Sequence, residues 1–166
     1  MKGTDVRHFD VVLDRVTEAI HHSGDDRSAM EAAVRTLERE VPHYTWVGIY
    51  LLDGNELVLG PFVGKPSPHT RIPLGRGICG AAAAEKATII VDDVNADPRY
   101  LACSLETRSE IVVPIIHDGD VLGEIDIDSD HVAAFGAPDK TMLEAVADLL
   151  AVRIHALGPD AVTPTQ

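Results

Sequence analysis

Basic residues are scarce in this chain. Lys and Arg number 14 against 27 Asp and Glu, for a formal net charge of −13. Phosphate backbones are held by clustered Lys and Arg, so no nucleic-acid partner is expected. The acidity fits a soluble, freely diffusing protein but names no substrate. Cysteine is scarcer still, with only Cys79 and Cys103. The first residues carry no apolar h-region, so no secretory signal is expected. Both cysteines are therefore expected to start as free thiols in a reducing, cytoplasmic compartment. No apolar run approaches the ~18–20 residues that cross a membrane. The eight histidines are scattered without paired ligand spacing, and no metal site is expected from them. A P-loop, a dinucleotide fingerprint, a nucleophile-elbow serine, internal repeats and low-complexity segments are all lacking.

What is present suits one domain. Apolar residues make up 45% and charged residues 25% of 166 positions, a globular balance with room for a core. Residues 5–23 place Phe9, Val12, Leu13, Val16, Ala19 and Ile20 at helical spacing. A second helix is expected to open at Ser28-Ala29-Met30-Glu31, a capping-box pattern, and to end before Pro42. The period then falls to two. Residues 45–52 and 56–63 read as strands around Asp53-Gly54-Asn55. Residues 64–69 read as loop and 71–73 as extended chain. An Ala-rich short helix is expected over 78–85, and a strand over 88–91. Residues 92–108 show little periodicity. Strands are expected at 110–116 and 121–128, then a last helix near Pro138 that stops at Gly158-Pro159. The fold class is α+β, with helices packed on a mostly antiparallel sheet. The domain is expected to span 1–158, with 159–166 a disordered tail.

Four places stand out chemically. Structureless stretches longer than ~12–15 residues in a compact domain are usually functional or disordered. Residues 92–108 are such a stretch, with Cys103 on it and enough apolar side chains to fold down as a lid. An inert buried cysteine is the plainer alternative. Cys79 sits in Gly77-Ile78-Cys79-Gly80 at a helix start, where the helix end favours a thiolate. A tight helix–sheet contact explains the small residues as well. Glu124, Asp126, Asp128 and Asp130 share one strand face by period two. A solvated face is one reading. Like charges side by side are unfavourable, so a cation site or a raised-pKa acid is the other. Glu110 on the neighbouring strand is placed to join them. Trp46, Gly48 and Tyr50 share a face of the first strand, which suits either a flat apolar slot or core packing.

These residues together resemble the free methionine-(R)-sulfoxide reductases, a group of GAF-domain enzymes. The likeness runs through Trp46-Val47-Gly48-Ile49-Tyr50, Gly64-Lys65-Pro66, Gly75-Arg76-Gly77-Ile78-Cys79-Gly80, Cys103, Ser109-Glu110 and Asp126-Ile127-Asp128-Ser129. It implies a single GAF domain in which Cys103 attacks the sulfoxide sulfur. Glu110, Asp126 and Asp128 would hold the substrate and assist protonation, with Trp46 packing on its methyl end and Tyr50 as a second wall. It also implies a sulfenic acid on Cys103 and recycling by thioredoxin or another thiol. No bound cofactor is expected, and a homodimer is. Many members carry a third, resolving cysteine after Gly-Lys-Pro. Here the loop reads Ser67-Pro68-His69-Thr70, leaving Cys79 or an external thiol to resolve. The competing expectation is a non-catalytic GAF sensor that binds a small metabolite.

Overall fold

Period-two alternation sorts the strand residues onto two faces that do different work. The computed structural model describes residues 6–102 and 104–155. Cys103, the expected helix stop at Gly158-Pro159 and the tail 159–166 lie outside the described residues. The helices are α1 (Val6–His21), α2 (Asp26–Glu40), α3 (Gly77–Glu85) and α4 (Ala137–His155). The strands are β1 (Trp46–Asp53), β2 (Glu56–Val63), β3 (Arg71–Pro73), β4 (Ile89–Val91), β5 (Ser109–His117) and β6 (Asp120–Ser129). They form one sheet in the order β3-β2-β1-β6-β5-β4, antiparallel at every described pairing. Tight turns at Gly54-Asn55 and Asp118-Gly119 force that topology on the two hairpins.

Val47 and Ile49 of β1, Ile111, Val113 and Ile115 of β5, and Ile125 and Ile127 of β6 face α1, α2 and α4 in one core. Each is at most 1% exposed. Truncating one such isoleucine costs about 2–5 kcal/mol, so this aliphatic face holds the fold. The alternate positions, including Tyr50 and Val112, face α3 and a smaller cluster. No described helix is long and apolar enough to cross a membrane.

One local expectation is corrected. The cap of α2 is Asp25, not Ser28: the Asp25 carboxylate accepts from the Ser28 backbone N–H at 2.7 Å. An acid three residues earlier meets the free amides of the first turn, and Ser28 falls inside the helix. The 92–108 segment keeps one short 3-10 turn, Val94–Ala96. It is anchored by backbone bonds from Val94 N–H to Arg108 O and from Arg108 N–H to Ser129 O, both 2.8 Å.

The start of α4 is tied down by a buried acid. The Asp139 carboxylate accepts from the Tyr44 hydroxyl at 2.7 Å and from the Gly136 N–H at 2.9 Å, with His43 Nε2 at 3.6 Å. Burial pushes the Asp139 carboxyl up, but His43, Gly136 and Tyr44 outweigh it and hold it below its ordinary 3.8. A carboxyl lower in the folded than in the unfolded chain stabilises fully above about pH 5 and loses that contribution as pH falls through the folded value. Asp139→Asn is expected to lose about 2–3 kcal/mol at pH 7, a fall in Tm of about 5–10 °C. Melting curves taken down the pH scale should show the two proteins converging in acid. A constant gap would show that the charge is not what Asp139 contributes.

Candidate active site

Strand register builds the site on the face covered by α3. Asp128 pairs with Trp46 on one side and Glu110 on the other, and Val91 flanks Glu110. The next row is Gly48, Asp126 and Val112, and the third is Tyr50, Glu124 and Pro114. The sheet therefore carries an aromatic edge beside a strip of acids. Glu110, Glu124, Asp126 and Asp128 expose 5, 0, 3 and 5% of their surface, which excludes the solvated-face reading for all four. Asp130 alone departs: it lies past the end of β6, exposed, and accepts from the Thr45 hydroxyl at 3.2 Å.

Burying acids is costly, and it shifts three of the four. Burial and the charge of Asp126 push Glu124 well above the usual carboxylate range. Burial also raises Asp126, against hydrogen bonds from Glu110 and Cys79. Asp128 is pushed well up by burial and by Asp126, opposed by a hydrogen bond from Thr107. No lysine or arginine among the described residues contributes to the field at these three. Lys65, at the mouth of the site, is itself paired with Glu106 at 2.8 Å.

Cys79 enters this strip from α3. Its Sγ lies 3.9 Å from Glu110 Oε1. Gly80 lets α3 pack on the end of β3, since a Cβ there would meet Pro73 O at 2.7 Å. The expected helix-end thiolate is overturned. Burial first, then Asp126, Glu124 and Glu110, push the Cys79 thiol well above its ordinary value. Three nearby carboxyls outweigh one short helix end.

The apolar edge is Trp46. Its indole lies over Gly48, where a Cβ would fall 2.3 Å from the ring, and beside Gly64, where it would fall 2.6 Å away. Phe62 stacks on it at 5.7 Å, and Nε1–H donates to Lys65 O at 2.9 Å. Trp46, Lys65, Pro66, Ser67, Ser104 and Asp128 line a cleft of about 120 Å³. Tyr50 is buried, and its hydroxyl donates to His69 O at 2.9 Å. It is not among the residues lining this cleft. Trp46 is the only tryptophan, so its emission reports the wall directly. Gly48→Ala is expected to displace the indole, shifting the emission maximum and raising acrylamide quenching. Unchanged fluorescence would mean the ring is not held by that glycine.

The loop around residue 103 is tied to the 64–69 loop on both sides. His69 Nε2 lies 3.1 Å from Ala102 O, and Lys65 holds Glu106. Leu101 packs on Gly77. Cys103 lies between these ties in sequence. Sequence reasoning assigned no role to Ser104 of the cleft or to Thr107, which hydrogen-bonds Asp128. It read Glu124 as part of the alternating acids but not among the substrate-binding residues.

The family model for the GAF domain matches residues 10–154, and the chain belongs to the GAF-domain family. The free methionine-R-sulfoxide reductase of Saccharomyces cerevisiae is 49% identical over 109 residues, which is 63% of this chain and 60% of the yeast protein. A solved structure of the type II free methionine-R-sulfoxide reductase of Thermoplasma acidophilum is 42% identical, with TM-score 0.77, covering 85% of this chain and 96% of that one. That of the Neisseria meningitidis enzyme in complex with its substrate is 37% identical, with TM-score 0.87, covering 94 and 93%. Within the GAF domains the chain thus falls with the free methionine-R-sulfoxide reductases.

Proposed function

We propose that this protein reduces free L-methionine-(R)-sulfoxide to methionine, with Cys103 as the attacking thiol. The observation that carries the reading is a strip of buried acids beside an aromatic wall. A free amino acid brings a positive charge to those acids as its ammonium and an apolar methyl end for Trp46. The cleft reaches Ser104, the neighbour of Cys103. The names of the reductase relatives agree with it. A metabolite sensor would need the cleft but not a thiol beside the acids.

The chemistry balances. Sulfoxide and Cys103 thiol give sulfide and Cys103 sulfenic acid, the oxygen passing from substrate sulfur to cysteine sulfur. That oxygen leaves the substrate only when protonated, and the carboxyls of Glu110, Asp126 and Asp128 are the groups placed to assist. Attack on the sulfenic acid by Cys79, or by an external thiol should the buried and raised Cys79 not give up its proton, then forms a disulfide and releases water. Cys79 borders the loop through Leu101, which lines a small cavity with it. Thioredoxin or another thiol would return both cysteines to the reduced state. A cytoplasmic homodimer belongs to the same proposal.

Reduced protein given one equivalent of the free R-sulfoxide, with no reductant, should yield up to one equivalent of methionine. Peptide mass analysis without reduction should then show a Cys79–Cys103 cross-link. A lasting sulfenic acid on Cys103 would move resolution to an external thiol. No methionine, with or without a dithiol, would remove the reductase reading.

A further inference from the structure

The cleft beside Trp46 carries both signs of charge. Lys65 and Asp128 line it together with Ser67 and Ser104, and Lys65 is the one cation among its lining residues. A free amino acid is a zwitterion. On the reductase reading its ammonium is drawn to the acids. Its α-carboxylate then needs a cation and hydrogen-bond donors, which the acids do not supply.

A carboxylate of the chain already sits on such donors. Lys65 Nζ donates to Glu106 Oε2 at 2.8 Å, and the Ser104 hydroxyl donates to the same oxygen at 2.7 Å. Lys65 first, then Ser104, hold the Glu106 carboxyl below its ordinary value. The Lys65 and Glu106 side chains are nevertheless 75 and 57% exposed. An exposed ion pair contributes little, so exchanging one carboxylate for another is cheap. The Lys65 backbone is held apart from Glu106, since its O accepts from Trp46 Nε1–H at 2.9 Å. The cation therefore stays at the cleft when Glu106 leaves.

We propose that the Glu106 carboxylate is a stand-in for the α-carboxylate of the substrate, which displaces it from Lys65 and Ser104 on binding. The two ends of the amino acid are then held by opposite charges, the ammonium by the acids and the carboxylate by Lys65. Glu106 competes for the same donors and so sets the affinity. The inference rests on the reductase reading for the identity of the ligand, but its test needs no turnover.

Free methionine-(R)-sulfoxide and its carboxamide, titrated into the reduced Cys103→Ser protein, are the probes, read by the emission of Trp46, the only tryptophan. At about pH 6 the carboxamide keeps its ammonium and lacks the carboxylate charge. It is expected to bind about tenfold more weakly than the free acid. Further replacing Lys65 by methionine should weaken the acid about tenfold and leave the amide unchanged, erasing the difference. Glu106→Gln should tighten the acid about threefold, because the competing charge is gone. An ion pair that only holds the loops would make both substitutions weaken both ligands alike. Equal affinity for acid and amide, a difference that survives Lys65→Met, weaker binding of the acid by Glu106→Gln, or no binding of either ligand would each overturn the proposal. Methionine formed by the unaltered protein decides the reductase reading separately, so turnover without discrimination between acid and amide removes the Lys65 subsite alone.

Discussion

Replacing Cys103 by serine is expected to lower kcat/KM for free methionine-(R)-sulfoxide by about 10³-fold or more, with the circular dichroism spectrum unchanged. Attack on sulfur needs a thiol or thiolate, and a serine hydroxyl is a far weaker nucleophile toward it. The chain has one other thiol, and Cys79 is poorly suited to take over. It is buried, and Asp126, Glu124 and Glu110 keep its proton on. Attack also falls with the thiolate fraction. The measurement is methionine formed against time with a dithiol in excess. Undiminished turnover by the serine variant would show that the oxygen is not transferred to residue 103.

Blocking the amino group of the substrate should cost nearly as much. N-acetyl methionine sulfoxide, or the sulfoxide within a peptide, is expected to show kcat/KM lower by about 10³-fold or more. The cause is the ammonium charge. Glu110, Glu124, Asp126 and Asp128 are at least 95% buried, and burial raises the last three. An ammonium beside them favours their ionised form and is attracted by it. Its amide keeps the shape and loses the charge, leaving the acids as they were. Because the acids are buried, added salt should screen the preference only weakly. Equal rates on free and blocked substrate would show that charge does not govern the choice.

Much of this was legible from local pattern. Period two around Ile111, Val113, Ile125 and Ile127 predicted the strands, and period 3.6 from Phe9 to Ile20 predicted α1. Both patterns repeat over enough residues to override local noise. The cap of α2 was misjudged because Ser28 and Asp25 are both good caps, and only the backbone angle at Asp25 separates them. The acid row was visible, but its burial was not. Alternation gives the face a residue takes, not what covers that face. Here α3 covers it, and α3 comes from a segment some 40 residues earlier in the chain.

The sequence by itself determined the α+β class, the hairpins, the face shared by Glu124, Asp126 and Asp128, and the two thiols available for chemistry. These follow from neighbours along the chain, whose spacing is set by backbone geometry. Only the tertiary structure decided that Trp46, Asp128 and Glu110 stand in one row across three strands. It alone brought Cys79 against Glu110 and Asp126. It also reversed the expected effect of the helix end on Cys79. Such outcomes depend on strand register and on what excludes water, and both are settled by contacts between residues far apart in the chain.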